Sequence, residues 1–189
     1  GYNRLTERLL DHPSIQVCLN KKFVPGEALN EYEHLFYTGP IDAYFNYEFG
    51  RLGYRTVTFE SSVQDGDFQG TAQMNFCDEE IPYTRITEHK HFTPWETHEK
   101  TIFFREFSKE TGVNDIPYYP KRLQKDKILL TKYRQKAALL SNVSFLGRLA
   151  TYRYMDMHQV IGEAIDFSKS VMKAVSSAAP RPVFPNEED

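Results

Sequence analysis

The sequence predicts an α+β fold, with an antiparallel sheet in the middle of the chain flanked by helices and by short strand-then-helix segments. Three observations carry this. Between Tyr54 and Ser108, short β-type runs follow one another across turn-rich breaks, which is hairpin spacing. Beyond Lys121 the apolar period changes from two to that of a helix. The apolar fraction of 40% in 189 residues is enough for a real core.

Taken in order, residues 2–12 place Leu5, Leu9 and Leu10 on one helical face, and Pro13 ends the run. Ile15, Val17 and Leu19 alternate with polar residues as a strand, and Phe23-Val24-Pro25-Gly26 reads as a turn. Residues 33–40 form a short buried strand closed by Gly39-Pro40, the kind of strand end that floors a binding crevice. Sheet strands are expected at 54–60, 71–77, 83–91 and 100–108, with turns at 64–67, 78–82 and 93–99. A period of two puts Ala72, Met74 and Phe76 on one face and Gln73, Asn75 and Cys77 on the other; Arg85, Thr87 and His89 share a face.

Pro117 and Pro120 fix an extended crossing at 114–120. A helix over 121–141 follows, with Leu123, Leu130, Tyr133, Ala137 and Leu140 along one side, and residues 143–146 form a strand. A second, longer helix begins after Asp156, its expected N-cap, and carries Val160, Ile161, Ala164, Ile165, Val171, Met172 and Val175 as an amphipathic stripe. The tail from Ser176 is Ser-, Ala- and Pro-rich and is expected to fray.

Lys and Arg number 23 against 26 Asp and Glu, a net charge of −3, with no basic block. That argues against a sequence-independent grip on nucleic acid, so an anionic ligand must meet a local cluster. Cys18 and Cys77 are too few and too far apart for a disulfide framework or a metal knuckle, and read as buried free thiols suited to a reducing cytoplasm. No apolar run is long enough to span a membrane, and no secretory leader or lipidation motif is present. The chain opens on Gly1-Tyr2-Asn3 directly in a helical pattern, as a piece of something longer would.

Several groupings bear on chemistry. Gly147, Arg148, Arg153, Tyr152, Tyr154 and Asp156 surround the step from the last strand to the last helix. That is either an anion-receiving helix start, with N–H groups and helix dipole pointing outward, or a capped and solvated one. Arg55, Arg85 and Arg148 each lie on or just after a strand among tyrosines. Singly, each is expected to pair with a carboxylate such as Glu88 or Glu106; as a set they suit a phosphate or diphosphate. Glu106, among aromatics, either binds a hydroxyl or pairs with Arg105 or Arg85. His89 and His91 lack a third ligand at a recognisable spacing and read as structural or surface histidines, so no metal site is expected. There is no G-x-S-x-G, Cys–His signature or P-loop, and hydrolase chemistry is unsupported.

Five runs then acquire a common meaning: FYTGPID at 36–42, GRLGYRT at 50–56, PYTRITEHK at 82–90, IPYYP at 116–120 and GRLATYRYMDM at 147–157. In order and spacing they resemble the bacterial UDP-galactopyranose mutases, over roughly residues 1–172. The resemblance implies interconversion of UDP-galactopyranose and UDP-galactofuranose with reduced FAD, whose N5 is the nucleophile, so no catalytic side chain is expected. Arg85 resembles the diphosphate-binding arginine, Tyr119 the tyrosine beside the diphosphate and Tyr154 one near diphosphate and sugar. Asn75 resembles a substrate-contacting asparagine, and Arg55 and Glu106 further polar residues of the cleft. Arg148, Tyr154, Met155, Asp156 and Met157 resemble flavin-binding positions.

The family's dinucleotide-binding G-x-G-x-x-G unit and its helical region are absent from this sequence. What is present resembles the C-terminal half: a partial FAD-domain (Rossmann-like) segment at 1–50, an antiparallel substrate-binding sheet at 51–117, a further FAD-domain segment with the long helix at 118–176, and a flexible tail at 177–189. The expected partners are the nucleotide sugar, the missing N-terminal half and a second copy of the chain, in the cytoplasm, with no nucleic acid or membrane. FAD retention by this chain alone is not expected, nor is independent turnover. Loss of the first strands is expected to leave a parallel-sheet edge or an apolar helix face uncovered. A non-catalytic nucleotide-sugar-binding module is the alternative; an amine-oxidase-type flavin oxidoreductase has a similar layout, but the five runs argue against it.

Overall fold

The computed structural model describes residues 2–21, 23–24 and 32–185. The chain divides into two compact units, Gly1–Glu33 and His34–Asp189. In the first, helix α1 (Tyr2–Leu10) ends before Pro13 as its sequence requires. The strand expected through Ile15, Val17 and Leu19 is not formed: all three are exposed, and no described neighbour offers a ladder to pair with. Half of the turn expected at 23–26, Pro25 and Gly26, lies outside the described residues.

The second unit holds β1 (Leu35–Tyr37), α2 (Ile41–Tyr44), β2 (Tyr54–Asp65), β3 (Gln73–Asn75), β4 (Arg85–Glu88), β5 (Lys100–Glu110), β6 (Tyr119–Pro120), α3 (Gln124–Ala137), β7 (Val143–Phe145), α4 (Gly147–Ala150) and α5 (Met157–Ser176). The fold is mixed α+β, with a five-stranded antiparallel sheet in the order β3-β4-β5-β2-β6 and a small parallel sheet of β1 and β7. β2 and β5 pair continuously from Arg55↔Glu110 to Asp65↔Lys100, so β2 runs through the start of the expected turn at 64–67.

β4 is shorter than expected. The Glu88 carboxylate is fully buried and accepts from the Phe68 and Gln69 N–H groups (3.0 and 2.8 Å) and from Thr101 Oγ1 (2.6 Å). The chain then winds into a 3-10 turn at His89–Phe92, so His89 leaves the strand face it was expected to share with Arg85. Both cysteines are exposed, contrary to the buried thiols expected: Cys77 lies just beyond β3, and Cys18 lies in the stretch that forms no strand.

The two sheets are tied together by buried polar side chains. Asp42 Oδ2 accepts from Leu52 N–H at 2.9 Å, and burial raises the Asp42 pKa against these hydrogen bonds. Tyr133 hydroxyl donates to Gly50 O at 2.6 Å and accepts from Phe49 N–H at 3.1 Å. Asp126 accepts from Gly53 N–H and Leu123 N–H, both at 3.1 Å, and a Cβ on Gly53 would stand 2.9 Å from Asp126 Oδ2. Only a glycine permits that approach. Around the parallel sheet, the Phe145 ring meets Tyr37, Tyr44 and Phe184 at centroid distances of 5.8, 4.9 and 5.6 Å.

Two helix expectations change. α3 begins at Gln124, because Arg122 takes a positive φ of 55° and Leu123 is extended, which leaves Leu123 exposed. α5 buries Phe167 and Ala174, whereas Ile161, Ile165, Met172 and Val175 of the expected stripe are exposed. The tail is also more ordered than its composition suggests. Phe145 N–H donates to Val183 O at 2.7 Å, Ser144 Oγ donates to Pro182 O at 2.6 Å, and Pro185 is buried. Among the described residues, no helix is long and apolar enough to cross a membrane.

Candidate functional site

Side chains directly opposite one another in a ladder share a face. The registers Asn75↔Arg85, Arg85↔Glu106, Phe59↔Glu106, Arg55↔Glu110 and Arg55↔Tyr119 therefore set Asn75, Arg85, Glu106, Arg55 and Tyr119 on one face of the five-stranded sheet. On the opposite face Tyr54, Thr56, Ile86, Glu88 and Phe103 are buried, while Thr58 and Glu60 farther along β2 are exposed. Strand alternation thus sets the polar group on one face, where Val57 opposite Ser108 is the buried apolar residue among them, and the packed residues on the other.

Two groups form on the open face. In the first, Arg85 Nε donates to Asn75 Oδ1 at 2.9 Å, and Arg85 Nη1 lies 3.9 Å from Glu106 Oε2. Glu106 therefore pairs with Arg85, and Arg105 turns instead to the rings of Phe103, Phe68 and Tyr83. In the second, Arg55 Nε and Nη2 donate to Ser108 Oγ at 3.1 and 3.0 Å, and Arg55 Nη1 approaches Glu110 Oε1 at 3.5 Å. Lys121 Nζ grips both Glu110 oxygens at 2.7 and 2.8 Å, and that hydrogen bonding holds the Glu110 pKa below the usual carboxylate range. Glu106 and Glu110 are four residue steps apart along β5, about 13 Å, so the groups share a face without touching.

The second group continues into the start of the last helix. The rings of Tyr119 and Tyr154 stack at 5.8 Å and 19°, and the Arg148 guanidinium lies over both, 4.6 and 4.9 Å from their centroids. Gly147 follows β7 with φ +79° and open space where a Cβ would point. Arg148 Nη1 donates to Met155 O at 3.3 Å, while Arg148 Nε is buried and has no hydrogen-bond partner. Asp156 stands at the N-cap of α5, its N–H donating to Gln159 Oε1 at 2.7 Å. Met155 is buried and its carbonyl is engaged by Arg148, whereas Tyr154, Asp156 and Met157 are exposed.

Sequence reasoning missed Ser108 and Lys121, the two residues that fix Arg55 and Glu110. Alternation along β5 puts Ser108 on the Glu106 face, but a lone serine carries no signal of its own. Among the histidines, His91 Nε2 lies 2.8 Å from Asp67 Oδ1 and 3.4 Å from Glu88 Oε2, with Lys90 Nζ 3.4 Å from the same Asp67 oxygen. The ammonium gives this cluster a positive charge of its own.

Comparison with known proteins sets the class first: the relatives found are sugar mutases by name. The family profile described as UDP-galactopyranose mutase matches residues 1–154, and the chain belongs to that family. It is 47% identical over 184 residues to a probable UDP-galactopyranose mutase of Klebsiella pneumoniae, covering 97% of this chain and 48% of the relative. It is also 47% identical over 179 residues to a dTDP-fucopyranose mutase of Escherichia coli, covering 92% and 48%. A UDP-galactopyranose mutase of Mycoplasma genitalium is 31% identical over 182 residues, covering 85% and 43%. The chain spans about half the length of the curated relatives it matches.

Proposed function

We propose that the chain supplies the diphosphate and sugar side of a mutase that interconverts UDP-galactopyranose and UDP-galactofuranose, together with one edge of its flavin site. The observation that carries this is the gathering of Asn75, Arg85, Glu106, Arg55 and Tyr119 on one open sheet face. Arg85 has its terminal nitrogens free of hydrogen bonds to carboxylates and binds the diphosphate through them. Its charge stabilises the nucleoside diphosphate as it leaves the anomeric carbon and holds it for return. Tyr119 and Tyr154 contribute hydroxyls beside the diphosphate, and Arg55 and Glu106 line the sugar side.

Arg148 fits a flavin-facing role, because its buried Nε lacks a partner and Gly147 leaves open space beside it. Arg148, Tyr154, the Met155 backbone, Asp156 and Met157 would hold the cofactor. Reduced FAD supplies the nucleophile for the anomeric carbon; the side chains here bind, orient and balance charge. The remaining contacts belong to the N-terminal half of a full-length relative, in the cytoplasm.

A second reading has a specific observation behind it: the dTDP-fucopyranose mutase is as similar as the galactose enzyme. Both substrates share a pyrimidine nucleoside diphosphate, so the site above serves either. A third, a binding module without turnover, shares the same diphosphate contacts. Titrating UDP and dTDP against the chain and its Arg85→Ala variant tests the shared part, and the variant is expected to bind either about tenfold more weakly or worse. Equal affinity in both proteins removes Arg85 from the site. Assay of the full-length protein with reduced FAD and each nucleotide sugar then separates the three readings.

A further inference from the structure

The two sheet arginines are held in the same manner. Arg85 Nε donates to Asn75 Oδ1 at 2.9 Å, from β4 to its neighbour β3. Arg55 Nε donates to Ser108 Oγ at 3.1 Å, from β2 to its neighbour β5, and Nη2 reaches the same oxygen at 3.0 Å. Both acceptors are neutral. The carboxylates differ: Glu106 stands 3.9 Å from Arg85 Nη1, beyond hydrogen-bond reach, whereas Arg55 Nη1 donates to Glu110 Oε1 at 3.5 Å, an oxygen that Lys121 also holds.

A guanidinium is a planar fork of five donors, and holding Nε fixes the plane while leaving terminal N–H groups for an anion. A carboxylate in the same place would hold the plane equally well but cancel the charge. A neutral oxygen does only the first.

We infer that Asn75 and Ser108 are positioning residues: neutral cross-strand acceptors that aim the Arg85 and Arg55 guanidinium planes across the sheet face, Asn75 doing so while leaving the Arg85 terminal N–H groups to a bound anion. This rests on the diphosphate reading and changes the part given to Asn75, whose amide oxygen is engaged by Arg85. Ser108 gains a role that no motif assigns to it.

The test uses the full 189-residue chain, with two readouts. In 15N spectra of arginine side chains, the Arg85 Nε–H is expected to exchange slowly with water in the wild type and fast in Asn75→Ala. The Arg55 Nε–H responds to Ser108→Ala and recovers in Ser108→Thr. In UDP titrations, Asn75→Ala weakens binding about three- to tenfold in the wild-type background and leaves it unchanged in the Arg85→Ala background. Asn75→Asp keeps the Arg85 Nε–H slow yet weakens UDP binding, because the added charge opposes the anion.

An Asn75→Ala effect of equal size in both backgrounds means that Asn75 meets the ligand directly, and overturns the inference. So does an Arg85 Nε–H signal indifferent to Asn75→Ala. A wild-type chain that binds no UDP, or an Arg85→Ala variant that binds as well as wild type, sinks the diphosphate reading instead. The Nε–H signals then decide the positioning role alone.

Discussion

Tyr37 shows what a residue's setting adds to its identity. Its hydroxyl donates to Pro40 O at 3.2 Å, and burial, then the nearby Asp42 charge, pushes its pKa up to about 12. The folded state therefore keeps a proton that the unfolded chain releases near pH 10. The resulting stability is complete below pH 10 and is lost as pH rises towards 12. Urea midpoints measured from pH 9 to 12 should fall for the wild type and fall less steeply for Tyr37→Phe; identical slopes would exclude Tyr37 from the alkaline transition. FYTGPID contains both Tyr37 and Asp42, but not the burial that contributes most of the shift, so the run alone does not announce it. Residue types were legible and residue settings were not: the sequence placed Arg85 on a strand with Glu106 as a candidate partner, which the structure shows, but did not point to Asn75 as the acceptor of its Nε–H. The two cysteines took the opposite exposure from the one expected.

At the scale of elements, α5 shows how far periodicity reaches. The 3.6-residue pattern correctly predicted a helix after Asp156, but it ran two apolar stripes into one. One stripe, through Phe167 and Ala174, packs within the unit, with the Phe167 ring edge-on to Phe36 at 6.4 Å. The other, through Ile161, Ile165 and Met172, is exposed, Met172 by 69%. A sequence records that a face is apolar, not which neighbour covers it. The two stripes therefore differ in energy. Phe167→Ala should cost about 3–5 kcal/mol in urea unfolding, whereas Ile165→Gln should change stability by about 0.5 kcal/mol or less. Equal costs would mean that the second stripe is packed within this chain. The sheet was more legible, because alternation along β2 and β5 and the breaks between strands both pointed to antiparallel pairing. Strand ends were not: β4 stops where the loop N–H groups claim Glu88, a long-range contact without a local signature.

For the whole molecule, the parallel sheet is the informative part. Parallel strands are normally buried on both faces within larger sheets, yet among the described residues β1 has β7 as its sole strand neighbour. The outer side of β7 is covered by the tail at Val183, which leaves β1 as the open side. The open strand and the second stripe on α5 are apolar surface without cover among the described residues, and the proposed reading assigns that cover to the N-terminal half of the family fold. The five family runs were legible for a related reason, since each lies where backbone and side chains must meet something outside their own element. The chain alone should bind an apolar-surface dye or self-associate, and adding the N-terminal half of a full-length relative should reduce both. Light scattering and dye fluorescence, with and without that half, decide it. A strict monomer that binds no dye would show that the 189 residues cover their own apolar surface, and the proposed cover by an N-terminal half would then be unnecessary.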